Sequence, residues 1–458
     1  MCFTETVNIA VSSNRRGINR FLEPIFGVCV LAGIAYSLWY LSENYFLPQP
    51  FFYAADDTFM DWFNVAYWAN NGGAFDTFNT IYPPISFVFL KIFSLGKCYI
   101  ASTPGLARLC DWVGLATLHG FFLLNIGLVA RAYFKFDRQT ALWRTIAMGA
   151  GLPMLYALNR GQLLIICFTF VVLAFGNILT SARGRWIATA IAINFKPYLI
   201  VAMFPHLLKR RWSRFEGCVL ATVAVYGVTW VILGDGSPFK LYRNIIDFAG
   251  FYQAINVLDL WYSGTYIPMV SLAQGPFPLT NYIGSTWVEL IEVAVPLLLR
   301  FTQAIIALTC VWSFFRPRVL GTNRLALLCI SFALLSTEAG GYTQILILFF
   351  IFMEKWDSAF QKAVLVIAYV LCIPGEISFG TIPAFPAYSY FAQQPVYLQF
   401  GIGVGSLIRP ALLQLMLILI SLDSMRRLYR STREAIDEGA ARARANQVPQ
   451  EAGRPLST

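Results

Sequence analysis

Charged side chains are scarce in this sequence. Asp, Glu, Lys and Arg make up 13% of its 458 residues, against 57% hydrophobic, whereas soluble domains are about a quarter charged. That shortage excludes an ordinary soluble fold, which has polar side chains enough to cover its apolar interior. With a mean hydropathy of +0.60, the solvent for most of the chain is lipid. Histidine is nearly missing. The two present, His119 and His206, stand singly in apolar runs and read as packing residues. The nine Cys lack metal-ligand spacing and sit mainly in apolar runs, where Cys behaves as a small hydrophobe. No zinc spacing, phosphate loop, dinucleotide fingerprint or Ser nucleophile elbow is found, and no tandem repeat, heptad run or low-complexity tract.

Acid is scarcer than base, 24 residues against 34, for a net charge of +10. A nucleic-acid partner is excluded by how the base is distributed. Clusters at Arg15/Arg16/Arg20, Arg131/Lys135/Arg138/Arg144, Arg183/Arg185, Lys209/Arg210/Arg211/Arg214, Arg316/Arg318/Arg324 and Lys355/Lys362, and a tail from Arg426, punctuate apolar segments as cytoplasmic loops do. With all of them inside, the expected spans are 24–44, 111–131, 141–158, 162–181, 186–195 with 197–208, 215–233, 298–315, 324–337, 341–354, 362–379 and 407–424. This is an all-α polytopic membrane protein of about 12 helices, with both termini cytoplasmic. Residues 1–22 form a cytoplasmic segment, 23–425 the membrane domain, and 426–458 a basic tail, a helix fading into disorder. The first apolar run is a retained helix, since no cleavage site follows it. Residues 84–95 are too short to span and read as a helix at the interface. Residues 186–208 must leave and return with about 11 residues on each side of Lys196-Pro197, as a helix broken inside the membrane.

Three outer loops result, 45–110, 234–297 and 380–406. Cys98 and Cys110 lie in the first and would pair if it faces an oxidising compartment. Nine of the 34 Lys and Arg escape the cytoplasmic clusters: Lys91, Lys97, Arg108, Arg160, Lys196, Lys240, Arg243, Arg300 and Arg409.

The first loop carries Asp56, Asp57 and Asp61. If residues 61–68 are helical, Asp61, Asn64 and Trp68 share a face. Asp61 suits a general base that takes a hydroxyl proton, with Asp56 and Asp57 near enough to raise its pKa. The same acids suit a solvated loop with an Asp capping an interfacial helix. Tyr82-Pro83-Pro84 stiffens the loop's exit or starts a helix. Arg160 and Gln162 form a polar turn that either holds a phosphate or sugar hydroxyls or anchors helix ends. Lys196 either binds a lipid phosphate or snorkels. Arg300 and Arg409 begin late outer helices, as phosphate ligands or interfacial anchors. Glu338 is a lone acid in Ser336–Thr343, beside two glycines that allow close approach.

Taken in order, Asp61 to Tyr67, Asn70-Asn71-Gly72-Gly73, Tyr82-Pro83-Pro84, Gly161-Gln162, Lys196-Pro197-Tyr198 and Lys209-Arg210-Arg211-Trp212 resemble glycosyltransferase family 87 of the GT-C superfamily. These are polyprenyl-phosphate-mannose-dependent α-mannosyltransferases, and the resemblance covers about residues 20–425. It implies a GT-C-like fold with outer juxtamembrane helices and an active site on the non-cytoplasmic face of the plasma membrane. It also implies a polyprenyl-monophosphate sugar donor, a lipid or glycan acceptor, inversion, and no cofactor or metal. The base carries over onto Asp61, and the lipid-phosphate contact onto Lys196, with Arg160, Gln162, Tyr82 and Arg409 as further donor-site residues. One departure stands out. Family members carry a Ser-Pro-x-x-Trp-x-His-His-like stretch where this chain has Ser336–Thr343, so Tyr342 or Glu338 substitutes there and the sugar is left open. A transporter or lipid flippase would share the helix count and the broken helix. However, no inverted repeat is evident, and the outer loops are long and aromatic. A non-catalytic scaffold would not need acids clustered beside stray cations.

Overall fold

Helix breakers set the lengths of the elements. A computed structural model describes residues 3–51, 56–253, 280–335, 340–356, 358–381, 384–399 and 401–447. The helices run α1 (Phe3–Asn44), α2 (Met60–Asn71), α3 (Pro84–Ile92), α4 (Pro104–Cys110), α5 (Trp112–Phe136), α6 (Ala141–Gly149), α7 (Leu152–Arg160), α8 (Leu164–Phe175) and α9 (Ala182–Phe195). They continue with α10 (Phe204–Leu208), α11 (Trp212–Leu233), α12 (Pro238–Gln253), α13 (Thr280–Ile283), α14 (Ser285–Phe315), α15 (Thr322–Leu334), α16 (Gln344–Phe352), α17 (Ala359–Cys372) and α18 (Gly405–Gln447).

Five segments are long and apolar enough to cross a membrane: Phe21–Asn44, Trp112–Phe136, Trp212–Leu233, Ser285–Phe315 and Ile408–Glu438. They point large apolar side chains outward, among them Leu123, Leu220, Val231, Val293 and Leu308. That is the reverse of a soluble protein and the make-up of a multi-pass membrane protein. The other expected crossings are shorter. The 141–158 segment breaks at Ala150-Gly151 into α6 and α7, each of 9 residues. α8 has 12 residues and α9 has 14, which at 1.5 Å per residue is short of a hydrocarbon core of about 30 Å. These short helices lie inside: α16 is buried along its whole length, and α8 nearly so. The expected break at Lys196-Pro197 is present. α9 stops there, and Pro197–Met203 follows as a 3-10 turn.

The all-α expectation needs one correction. Loop 380–406 contributes antiparallel ribbons, β1 (Ser378–Thr381) with β4 (Gly401–Gly403), and β2 (Phe385–Ser389) with β3 (Gln394–Leu398). Pro386 and Pro395 hide the β2–β3 hairpin in the sequence, yet both strands are edges, where a missing N–H is tolerated. The hairpin seats Val396 and Leu398 on Phe46. The helical part of the expected tail is present, since α18 runs unbroken from Gly405 to Gln447, and residues 448–458 lie outside the described residues.

Contacts gather the loops at two ends. At one end, Tyr390 lies 4.5 Å from the Arg108 guanidinium, and Lys240 pairs with Asp76 at 2.9 Å and Asp235 at 3.1 Å. The first of the loops expected outside therefore touches each of the other two. At the other end, Arg144 binds Glu23 through two 2.9 Å bonds, and Arg324 binds Glu354 and Asp423 at 2.6 Å each. Arg144 and Arg324 read in sequence as solvated loop charges. They are only 3% and 2% exposed, and they are satisfied by acids that the charge map ignores, Glu23 and Asp423 buried and Glu354 partly so.

Candidate functional site

The first loop is pinned before it can present its acids. Cys98 and Cys110 form a disulfide. Next to it, buried Asp111 caps α5 through Gly114 N at 3.0 Å and accepts from Leu95 N at 3.1 Å and Tyr99 Oη at 2.7 Å. On the same short segment, Arg108 is 7% exposed and donates to the backbone carbonyls of Asp56, at 2.6 Å, and Thr58. The bend continues at Phe59, in the left-handed region at φ 63°. Phe59 N donates to Asn159 O at 2.7 Å.

That bond brings two backbones together at Gly161, the left-handed cap of α7 at φ 70°. A Cβ there would lie 2.7 Å from the carbonyl oxygen of Phe59. Glycine is required twice over, for its dihedral and for the close approach. The crossing sets the first turn of α2 against the end of α7. Asp61 Oδ1 and Oδ2 accept from Arg160 Nη2 and Nε at 3.1 Å each. Gln162 Nε2 donates to the same Oδ2, and Arg160 Nη1 pairs with Asp57.

The Asp61 carboxyl is pushed up from 3.8 to about 6. Burial is the main cause, with the Gln162 bond and the Lys196 charge pulling the other way. Its side chain keeps 22% exposure. Oδ2 already accepts two hydrogen bonds and Oδ1 one, so Oδ1 has an acceptor position open. Lys196, 9% exposed at the end of α9, directs Nζ to Tyr82 Oη at 3.2 Å and stands 4.4 Å from the Tyr82 ring centroid. Tyr82 is held there because Pro83 and Pro84 cap and start α3. Two buried polar atoms beside this group have no partner among the described residues, Gln162 Oε1 and Tyr198 Oη. Buried polar groups are normally hydrogen-bonded; a ligand hydroxyl would donate to Gln162 Oε1, and a hydroxyl or phosphate oxygen would accept from Tyr198 Oη.

The structure thus gathers Asp57, Asp61, Arg160 and Gln162, with Lys196 close enough to act on Asp61 and with Tyr82 beneath it. Asp56 is exposed and contributes its backbone carbonyl to Arg108. Tyr342 stacks on Tyr156, centroids 6.2 Å apart, one turn before Arg160 on α7. Arg409 is engaged by Glu376 Oε2 at 2.7 Å and by Gly375 O. Glu338 lies outside the described residues. His119 sets its ring edge-on to Phe59 and bonds Leu115 O at 2.8 Å, a packing role. Among the described residues, no three His, Cys, Asp or Glu gather as a metal centre. Sequence reasoning missed Arg108 and Tyr390. Arg108 stood out only as a basic residue outside the cytoplasmic clusters, and Tyr390 carried no signal.

Comparison with protein families, with characterised proteins and with solved structures gives no match. The functional reading therefore stands on the motifs and on this geometry.

Proposed function

We propose that this protein is a membrane glycosyltransferase that moves a sugar, mannose first, from a polyprenyl-phosphate donor to a hydroxyl of a lipid or glycan acceptor. The observation that carries the proposal is the convergence of a carboxylate of raised pKa, Asp61, with Arg160, Gln162 and Lys196. Asp61 takes the acceptor proton as the acceptor oxygen attacks the anomeric carbon. The bond from that carbon to the phosphate oxygen breaks on the opposite face, and the configuration inverts. Charge grows on the departing phosphate, where Lys196 and Arg160 stabilise it electrostatically. The donor's own phosphoester supplies the driving force, so the reaction calls for no nucleotide. Asp57 holds the far side of Arg160, and Asp56 is the outlying acid of the trio.

The proposal extends to place and fold. The protein is a GT-C-like transferase of the plasma membrane with both termini cytoplasmic and the site facing outward. The Cys98–Cys110 disulfide supports that orientation, because disulfides persist in oxidising compartments. The short buried helices support a GT-C-like body in which about twelve segments, full spans and broken ones, pack together.

The test is purified protein with labelled polyprenyl-phosphate-mannose and a membrane lipid extract. Transfer lost in Asp61→Asn and kept in Asp76→Asn supports the reading. Asp76 pairs with Lys240 and is 60% exposed. Full transfer by Asp61→Asn would remove Asp61 as the base, and movement of intact lipid without sugar transfer would favour a flippase.

A further inference from the structure

α8 and α9 pack side by side, α8 leading away from the Asp61 site and α9 leading back to it. Gln162 precedes α8 and Lys196 ends α9. Their other ends, about 18 Å away for a 12-residue helix, open into a cavity of about 130 Å³. A single water needs roughly 10–15 Å³ of such space, so the cavity has room for a polyatomic anion with its hydration. It is lined by Arg185, Arg211, Arg214, His206, Asn177 and Asn323, together with small and apolar side chains. No Asp or Glu lines it among the described residues, and none pairs there with the three arginines.

Three kinds of observation point to a ligand in this cavity, the first and third of them to an anion. First, the arginines line one cavity together: Arg185 comes from α9, Arg211 caps α11, and Arg214 lies in the first turn of α11, all around His206 of α10. Unlike Arg144 and Arg324, none of these arginines has an acid to hold it. Second, His206 Nδ1 is buried without a hydrogen-bond partner among the described residues. Third, three helices of 13 to 22 residues begin at the cavity: α9 at Ala182, α11 after its cap Arg211, and α15 at Thr322. Their first N–H groups and dipoles favour an anion. The opposing carbonyl end of α8 is covered, because Asn323 Nδ2 donates to Phe175 O at 3.3 Å and Lys135 Nζ to Asn177 O at 3.0 Å.

We propose that this cavity is a phosphate-binding site, separate from the Asp61 site and at the opposite end of α8 and α9. Its ligand is a phosphate group, carried by an anionic membrane lipid or free in solution. The proposal does not depend on the transferase reading.

Thermal unfolding of the purified protein in neutral detergent tests it. The probes are inorganic phosphate, against sodium chloride at matched ionic strength, and phosphatidylglycerol, against phosphatidylcholine. The variants are Arg185→Gln/Arg211→Gln/Arg214→Gln, the corresponding triple Lys variant, and Arg318→Gln, an exposed arginine off the cavity. The midpoint of the native protein and of Arg318→Gln should rise with phosphate or phosphatidylglycerol. The triple Gln variant should need at least tenfold more ligand, and the triple Lys variant should keep part of the response. A rise with phosphatidylglycerol alone assigns the phosphate to lipid; a rise with both assigns a site that takes the free ion. If chloride matches phosphate and phosphatidylcholine matches phosphatidylglycerol, the proposal is overturned. It is also overturned if the native and triple Gln proteins respond alike. Should the triple Gln variant fail to fold, Arg214→Gln alone, on an exposed residue of α11, carries the same comparison with a smaller loss.

Discussion

Arg160 grips Asp61 through two parallel hydrogen bonds of 3.1 Å while its remaining nitrogen holds Asp57. One guanidinium therefore orients the proposed base and ties together two acids that would otherwise repel.

Removing the base should abolish the chemistry without removing the fold. Asp61→Asn keeps the shape and an acceptor oxygen for Arg160 but cannot take a proton. General-base catalysis contributes about 10²–10⁴-fold, and a loss of that size in turnover is expected. Circular dichroism and thermal unfolding should match the native protein.

The rate should depend on Asp61 ionisation. With its pKa at about 6, turnover should rise as pH passes 6 and should fall to roughly a tenth of its plateau one unit below. The sign for stability is opposite. A carboxyl whose pKa is raised by folding binds its proton more tightly in the native state. Its contribution is fully present below pH 3.8 and is lost as pH rises through about 6. Rate and unfolding midpoint measured over pH 4–8 check both limbs.

Arg160→Gln should move that rate profile to higher pH. It removes the cation shared by Asp57 and Asp61, so like-charge repulsion then favours the protonated acid. A midpoint that stays fixed or falls would show that Arg160 does not govern the base.

Lys196 and Tyr82 should separate in their kinetics. Lys196→Met deletes a charge that strengthens its hold as the phosphate departs, and a loss of about 10²–10³ in turnover is expected. Tyr82→Phe keeps the ring beneath the ammonium and loses one hydrogen bond, so the effect should be smaller and weighted toward donor KM.

At the other end of the molecule, Arg144→Met should destabilise by about 3–5 kcal/mol, because it leaves Glu23 buried without its partner. The double variant Glu23→Leu/Arg144→Met should recover much of that loss. Unfolding midpoints in one detergent make the comparison.

What could be read in the sequence follows from the range of each interaction. Gly161-Gln162 and Lys196-Pro197 are local breaks whose chemistry is set by adjacent residues, and both stand where expected. The stray cations Arg160 and Lys196 were visible because membrane topology sorts charge over the whole chain. Arg108 could not be assigned its role, since it acts through the carbonyls of Asp56 and Thr58, some 50 residues back. The partners of Arg144 lie 121 and 208 residues away, and periodicity carries no trace of them. The short helices come out shorter than their apolar segments suggested for a simple reason. Hydropathy registers how apolar a segment is, and α8 and α16 owe that to a protein interior as much as to lipid.

α9 has a polar group at each end, Arg185 near its start and Lys196 at its close, with no glycine or proline between Arg185 and Phe195. It acts as a ruler with an angular scale. One residue inserted between them would turn Lys196 by about 100° and shift it 1.5 Å relative to Arg185, swinging the ammonium off Tyr82. Length in this segment should therefore be far less forgiving than sequence: conservative apolar exchanges along α9 would be tolerated, while a single-residue insertion or deletion would disconnect the two ends.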